Sequence, residues 1–110
     1  MAKNDLQGSL DLLALKTLSQ MGELHGYGIV LHIQRASDER LSVEEGSLYP
    51  ALHRMEQSGW IRSEWKSSEN NRRSKCYSLT RLGKKQLEEE SANWNRVSSA
   101  ISGILKLNEV

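Results

Sequence analysis

Two groups of polar side chains are spaced to do chemistry. Ser47, Tyr49 and Arg54 stand in Glu45-Gly46-Ser47-Leu48-Tyr49-Pro50-Ala51-Leu52-His53-Arg54-Met55-Glu56, and Arg72, Arg73 and Lys75 follow about twenty residues later. The chemistry open to them is recognition of a polyanion. Hydroxyls such as those of Ser47 and Tyr49 can hydrogen-bond a phosphate or a base edge, and a guanidinium such as that of Arg54 can grip guanine with two bonds or bridge phosphates. Cations gathered at one turn suit a phosphate or a narrow minor groove. Plainer uses stay open. Tyr49 can be a core residue, Arg54 a surface partner of Glu56 or Glu45, and the basic cluster an aid to solubility.

Nothing comparable points to catalysis. His25, His32 and His53 form no metal-ligand pattern with one another or with Cys76, and His53 with Glu56, three apart on a helix, supplies only two ligands. No serine, histidine and acid stand in a nucleophile context, and there is no glycine-rich phosphate loop. The expectation is a non-enzyme with no cofactor and no metal. Cys76, the one cysteine, excludes an internal disulfide and fits a reducing compartment. Its strand parity points outward, which predicts an inert thiol.

The elements that must position these groups can be read from periodicity. Leu6, Leu10, Leu13 and Leu18 recur at helical spacing, with Leu12 and Leu15 widening the stripe; Asn4 or Asp5 can cap this helix and Gly22 stops it. Gly26-Tyr27-Gly28 opens a second helix with Ile29, Ile33 and Ala36 on one face. Two glycines so near a helix start predict close approach of another backbone or of a phosphate, or a flexible entry. Leu41-Ser42-Val43 reads as a short extended piece. Ser42-Val43-Glu44-Glu45 matches a capping box for a third helix, from about Glu44 to Ser58, with Leu48, Leu52 and Met55 as its apolar stripe. Pro50 predicts a bend, or a helix whose regular part starts late. Trp60 to Lys66 alternates, Ser67 to Asn71 is polar, and Lys75, Tyr77 and Leu79 share the inward parity of a return strand. These make a hairpin whose loop is longer than two residues. Thr80 can cap a last helix reaching about Leu107, on which Leu87, Trp94, Val97, Ile101 and Ile104 form a heptad-like seam. Such a helix has little of its own domain to pack on, so a second copy is the natural partner. Paired Trp94 indoles, with Val97 and Leu13 or Leu12 nearby, can form a slot suited to an aromatic ligand, or simply the core of a dimer interface.

The 110 residues fit one small core, built without phenylalanine. The formal net charge is only +1, but from Arg62 to Lys85 eight basic residues face two acidic ones. On a nearly neutral chain that stripe is a localised footprint for a polyanion, or a solvated face. No apolar run approaches membrane-spanning length and no signal-type leader is seen, so a cytoplasmic protein is expected.

The order helix, helix, short strand, helix, hairpin is that of a winged helix-turn-helix. At Gly46-Ser47-Leu48-Tyr49-Pro50-Ala51-Leu52-His53-Arg54, Gly59-Trp60-Ile61, Arg72-Arg73-Ser74-Lys75 and Tyr77-Ser78-Leu79-Thr80 the chain resembles the PadR family of bacterial transcriptional regulators. His25-Gly26-Tyr27-Gly28-Ile29 and Ser9-Leu10-Asp11-Leu12-Leu13 resemble it too. The resemblance covers the whole chain. It implies a winged-helix homodimer, usually a repressor of inverted-repeat operators released by a small phenolic or hydrophobic ligand. It implies DNA contacts from Ser47, Tyr49, Arg73 and Lys75, and a phosphate at Tyr27. Cys76 departs from the family pattern, which has an aromatic there. The single C-terminal helix resembles the short subgroup, in some members of which a tryptophan at the position of Trp94 lines a pocket between subunits.

The expected architecture is therefore mostly α with a small β-hairpin wing. Residues 1–80 form a winged-helix DNA-binding domain and residues 81–110 a dimerisation helix. The expected partners are double-stranded DNA, a second copy and a small hydrophobic or aromatic effector, with no membrane. DNA contact is assigned to Tyr27, Ser47, Tyr49, Arg54, Arg72, Arg73 and Lys75; the dimer interface or effector pocket is assigned to Leu13, Leu87, Trp94, Val97, Ile101 and Ile104. The rival is a winged helix that serves only as a protein-interaction module.

Overall fold

The computed structural model of the chain describes residues 9–67 and 70–107. Helices α1 (Leu10–Met21), α2 (Gly26–Ala36) and α3 (Glu45–Gln57) precede a hairpin of β2 (Ile61–Ser67) and β3 (Arg73–Leu79), and α4 (Arg81–Leu107) closes the chain. A two-residue strand β1 (Leu24–His25) pairs with the far edge of β3, so the sheet is three-stranded and antiparallel, in the order β1-β3-β2. This is a mostly helical winged helix, as expected. The third strand, however, lies at Leu24–His25 rather than at Leu41-Ser42-Val43, which has no regular structure. Two residues cannot display alternation, so β1 has no periodic signature to read.

The core is where the apolar stripes of α1, α2 and α3 meet the sheet. Leu15, Leu18, Ile29, Leu48, Leu52, Met55 and Ile61 are fully buried, and Val43 plugs the same cluster from the segment before α3. The cluster also contains Leu87 of α4. Leu87, expected in a seam between copies, is buried in its own domain, where α4 packs against α1. Gly83 and Leu87 are the buried residues of α4.

Three boundaries show how the sequence sets the elements. At the end of α3, Gly59 has φ of 82°, its amide donates to Glu56 O and the Trp60 amide donates to Met55 O, both at 3.0 Å. This pair of bonds satisfies carbonyls the helix would otherwise leave open. At the start of α4, the Thr80 hydroxyl accepts from the Gly83 amide at 3.0 Å and donates toward the carbonyls of Gly59 and Trp60. Thr80 therefore caps α4 and ties it to the end of α3. At the start of α3 the expected capping box does not form. The cap is Glu44, without a side-chain bond, and the helix begins at Glu45. Glu44 and Glu45 instead bring negative charge to the positive end of the helix. The regular part does not start late: α3 runs from Glu45 through Pro50, whose missing N–H would have faced Gly46. The cap expected at Asn4 or Asp5 lies outside the described residues.

Candidate nucleic-acid interface

In an antiparallel pair, directly opposed residues share a face. The β2–β3 register opposes Ile61 to Leu79, Ser63 to Tyr77, Trp65 to Lys75 and Ser67 to Arg73. These residues line one face of the wing, and the root of that face packs on α3. Glu56, on α3, makes the junction: it accepts from Ser63 Oγ at 2.6 Å and pairs with Lys75 Nζ at 3.5 Å. Toward the tip the aromatics carry the cations. The Arg73 guanidinium lies 5.3 Å from the Trp65 ring centroid, and Lys75 Nζ lies 6.0 Å from Trp65 and 5.8 Å from Tyr77. Trp65 shares the parity of Ile61 but is 56% exposed, because the wing has run past the core by that point. A cation over an aromatic face gains about 0.5–1 kcal/mol at such exposed sites and loses some of its freedom.

The other half of the interface is the start of α3 against the start of α2. Ser47, Tyr49, Pro50 and His53 are exposed on α3, and Tyr27 is exposed on the first turn of α2. Tyr49 reaches across to α2, where its ring packs on Gly26. This explains the glycine. Within the chain, the close approach to Gly26 is made by a side chain, the phenol end of Tyr49. Gly28 similarly faces the Leu24 side chain. Burial pushes the Tyr49 phenol up from its ordinary value, and Glu45 adds to the effect. The Tyr77 phenol is raised chiefly by burial, with Glu56 and Tyr49 adding. Tyr49 thus lies where α3 meets the first turn of α2, and Tyr27 and Ser47 are exposed on the first turns of those two helices. Tyr77, Lys75, Trp65 and Arg73 run along the wing. Arg72 is exposed next to Arg73 at the tip.

Arg54 is paired within the fold, with an acid other than the two weighed from the sequence. Its Nη1 donates to Asp11 Oδ2 and its Nη2 to Asp11 Oδ1, each at 2.8 Å. Both ends of the fork expected to grip a base are on α1, and the partner is neither Glu56 nor Glu45. An (i, i+3) or (i, i+4) search along one helix could not find Asp11, which is 43 residues away.

Cys76 also departs from its parity. It is buried, although it lies on the opposite face of the wing from Tyr77. β3 is the central strand, so Cys76 has a cross-strand neighbour on each side: His25 of β1, with Nδ1 3.3 Å from Sγ, and Glu64 of β2; Glu23 receives Lys66 Nζ at 2.5 Å alongside. Burial pushes the thiol up from its ordinary value, with Glu23 acting in the same sense. Raised and buried, it is a poor nucleophile.

On α4 the expected seam residues separate. Trp94, Ile101 and Ile104 are 51%, 50% and 63% exposed, while Val97 and Leu13 are half-buried. No helix among the described residues is long and apolar enough to cross a membrane.

Comparison with known proteins gives concordant results. The pattern of the family described as "Transcriptional regulator PadR-like family" matches residues 14–89. A transcriptional regulator from Clostridium thermocellum superposes with a TM-score of 0.81 at 28% identity, covering 89% of this chain and 94% of that one. A PadR-like transcriptional regulator from Bacillus cereus gives 0.75 at 32% identity, over 92% and 95% of the two chains. An uncharacterised protein of Lysinibacillus sphaericus is 26% identical over 102 residues, 92% of this chain and 93% of its own length.

Proposed function

The chain belongs to the PadR-like family of transcriptional regulators, and from that premise we propose that it is a homodimeric repressor of inverted-repeat operators in the cytoplasm. The family's work is DNA-binding transcription regulation, not catalysis. Tyr27, Ser47 and Tyr49 contact DNA from α2 and α3, and Arg72, Arg73 and Lys75 contact it from the wing. The α3 start enters the major groove, and the wing cations lie along the neighbouring phosphates or minor groove. The observation that carries this reading is the Glu56 bridge to Ser63 and Lys75, which fixes the cation-bearing face of the wing to the helix that presents Ser47 and Tyr49.

Two such heads must stand about 34 Å apart to meet successive turns of one DNA face. The exposed apolar residues Trp94, Ile101 and Ile104, with Val97, supply the surface that pairs two copies of α4. A small hydrophobic or aromatic effector held between the copies near Trp94 and Leu13 changes the tilt of α4, and with it the spacing of the heads. Release is then a coupling free energy between the two sites. Footprinting on the DNA just upstream of the protein's own coding region tests the reading. A protected inverted repeat, with affinity falling steeply as salt rises, supports it; absence of any binding at low salt overturns it.

A further inference from the structure

Arg54 sits on the helix that carries Ser47 and Tyr49, yet its hydrogen-bonding fork is already occupied. The two parallel bonds to Asp11, at 2.8 Å each, are the geometry in which guanidinium and carboxylate bind most tightly. The side chain of Asp11 is only 17% exposed, against 56% for Arg54. A carboxylate so withdrawn from water has given up much of its hydration and depends on its partner. The pair joins α3 to α1, and α1 is the helix on which α4 packs. The hydrogen bonds to Asp11 do most to favour the charged guanidinium; burial opposes them, and the charges of Asp11 and of Glu90 on α4 act in the same sense as the hydrogen bonds.

Resting on the DNA-binding reading above, we infer that Arg54 is a positioning residue: it pins α3 to α1 and so sets the angle at which Ser47 and Tyr49 are presented, without touching DNA itself. The pin lies one to two helical turns beyond those two residues. A shift of α3 against α1 would move Ser47 and Tyr49 with the helix, and the Asp11 fork resists that shift. Lysine cannot replace it, because an ammonium offers no pair of parallel bonds.

The two possible roles of Arg54 predict opposite effects of Asp11→Asn. The test is fluorescence anisotropy of a labelled duplex, enriched from a random pool by the wild-type protein, titrated at several potassium chloride concentrations. If Arg54 positions, Asp11→Asn weakens binding about ten-fold although it removes a negative charge. Arg54→Ala and Arg54→Lys weaken it similarly, and the salt slope stays at the wild-type value in all three. If Arg54 touches DNA, Arg54→Ala lowers the slope by about one and Asp11→Asn binds as well as wild type or better; that result overturns the inference. Should the single variants unfold, the exchanged pair Asp11→Arg with Arg54→Asp keeps the test: recovered affinity supports the pin, and a folded exchange with no recovery overturns it. A wild-type protein that binds no duplex at low salt removes the DNA reading itself, whereas wild-type binding with unaffected Asp11→Asn removes only this inference.

Discussion

The phenol end of Tyr49 rests on the α-carbon of Gly26: a Cβ there would lie 2.6 Å from Tyr49 Cε1 and 2.7 Å from its hydroxyl oxygen. The contact links the first turn of α2 to the exposed face of α3. The intruding atoms are the far end of a side chain that is 41% exposed, so the tyrosine has somewhere to go. Gly26→Ala is therefore expected to leave the unfolding midpoint within about 2 °C of wild type, since alanine is also the better helix former. It is expected to weaken DNA binding by swinging Tyr49 away. Combined with Tyr49→Ala, the second change should add almost nothing, the mark of two residues acting through one contact. Additive losses in the double variant would sink this account.

Gly83 gives the opposite case. A Cβ there would lie 2.0 Å from the Trp60 carbonyl oxygen and 2.9 Å from its carbon. That carbonyl already accepts the Thr80 amide and receives the Thr80 hydroxyl, so it cannot retreat. Gly83→Ala is expected to destabilise by about 3 kcal/mol, at the upper end for overpacking, and to lower the midpoint by roughly 10 °C or more. A denaturant titration that finds less than about 1 kcal/mol would show that α4 can shift on the hairpin at little cost.

The contrast between these glycines shows what the sequence could reveal. The helices, the wing and the Thr80 cap were legible because period and cap residues are local. The partners of Gly26, Gly83 and Arg54 were not, because each lies on another element brought in by the fold. The buried state of Cys76 depended on β1, a strand too short to alternate. Leu87 and Trp94 obey one heptad step, yet one is core and the other exposed. Periodicity identifies a face; what covers that face changes along a helix longer than its domain.

Arg73 is held over the ring of Trp65. Arg73→Ala is expected to weaken binding to specific and unrelated duplexes by a similar factor and to lower the salt slope by about one. Trp65→Ala keeps both cations but frees them, so it should weaken binding while leaving the slope unchanged. An Arg73→Ala protein with the wild-type slope would place the wing away from phosphate.

Alkaline pH should destabilise the protein through the buried Tyr77 phenol and Cys76 thiol and, to a lesser degree, the partly covered Tyr49 phenol. An unfolded tyrosine ionises near 10 and an unfolded cysteine near 8.5. In the fold, burial raises Tyr49, Tyr77 and Cys76 above those values. The unfolded chain therefore loses these protons first. The corresponding stability is complete below the unfolded values and is lost as pH rises through the folded ones. The midpoint is expected to be flat from pH 7 to about 8 and to decline above that. Tyr77→Phe should decline less steeply than wild type beyond pH 10. Parallel curves for the two proteins would show that Tyr77 contributes nothing to the loss.

The exposed face of α4 carries the last prediction. Trp94, Val97, Ile101 and Ile104 follow steps of three, four and three, and the three most exposed leave half or more of their surface in water. Full burial of one such side chain is worth about 1.5–3 kcal/mol, so a few of them paired across a twofold axis can hold a dimer at micromolar concentration. Ile104→Asp places a charge in that seam without touching the core cluster, which ends at Leu87 on this helix. Sedimentation should then show a monomer with the wild-type circular dichroism spectrum. Binding to a two-half-site duplex should fall by a hundred-fold or more, since the second head no longer arrives at high effective concentration, while binding to a single half-site should be unchanged. Trp94→Ala is expected to weaken the dimer, or its uptake of an aromatic probe such as anilinonaphthalene sulfonate, and to leave the salt slope of DNA binding alone. A folded Ile104→Asp protein that remains dimeric would move the interface off this face of α4.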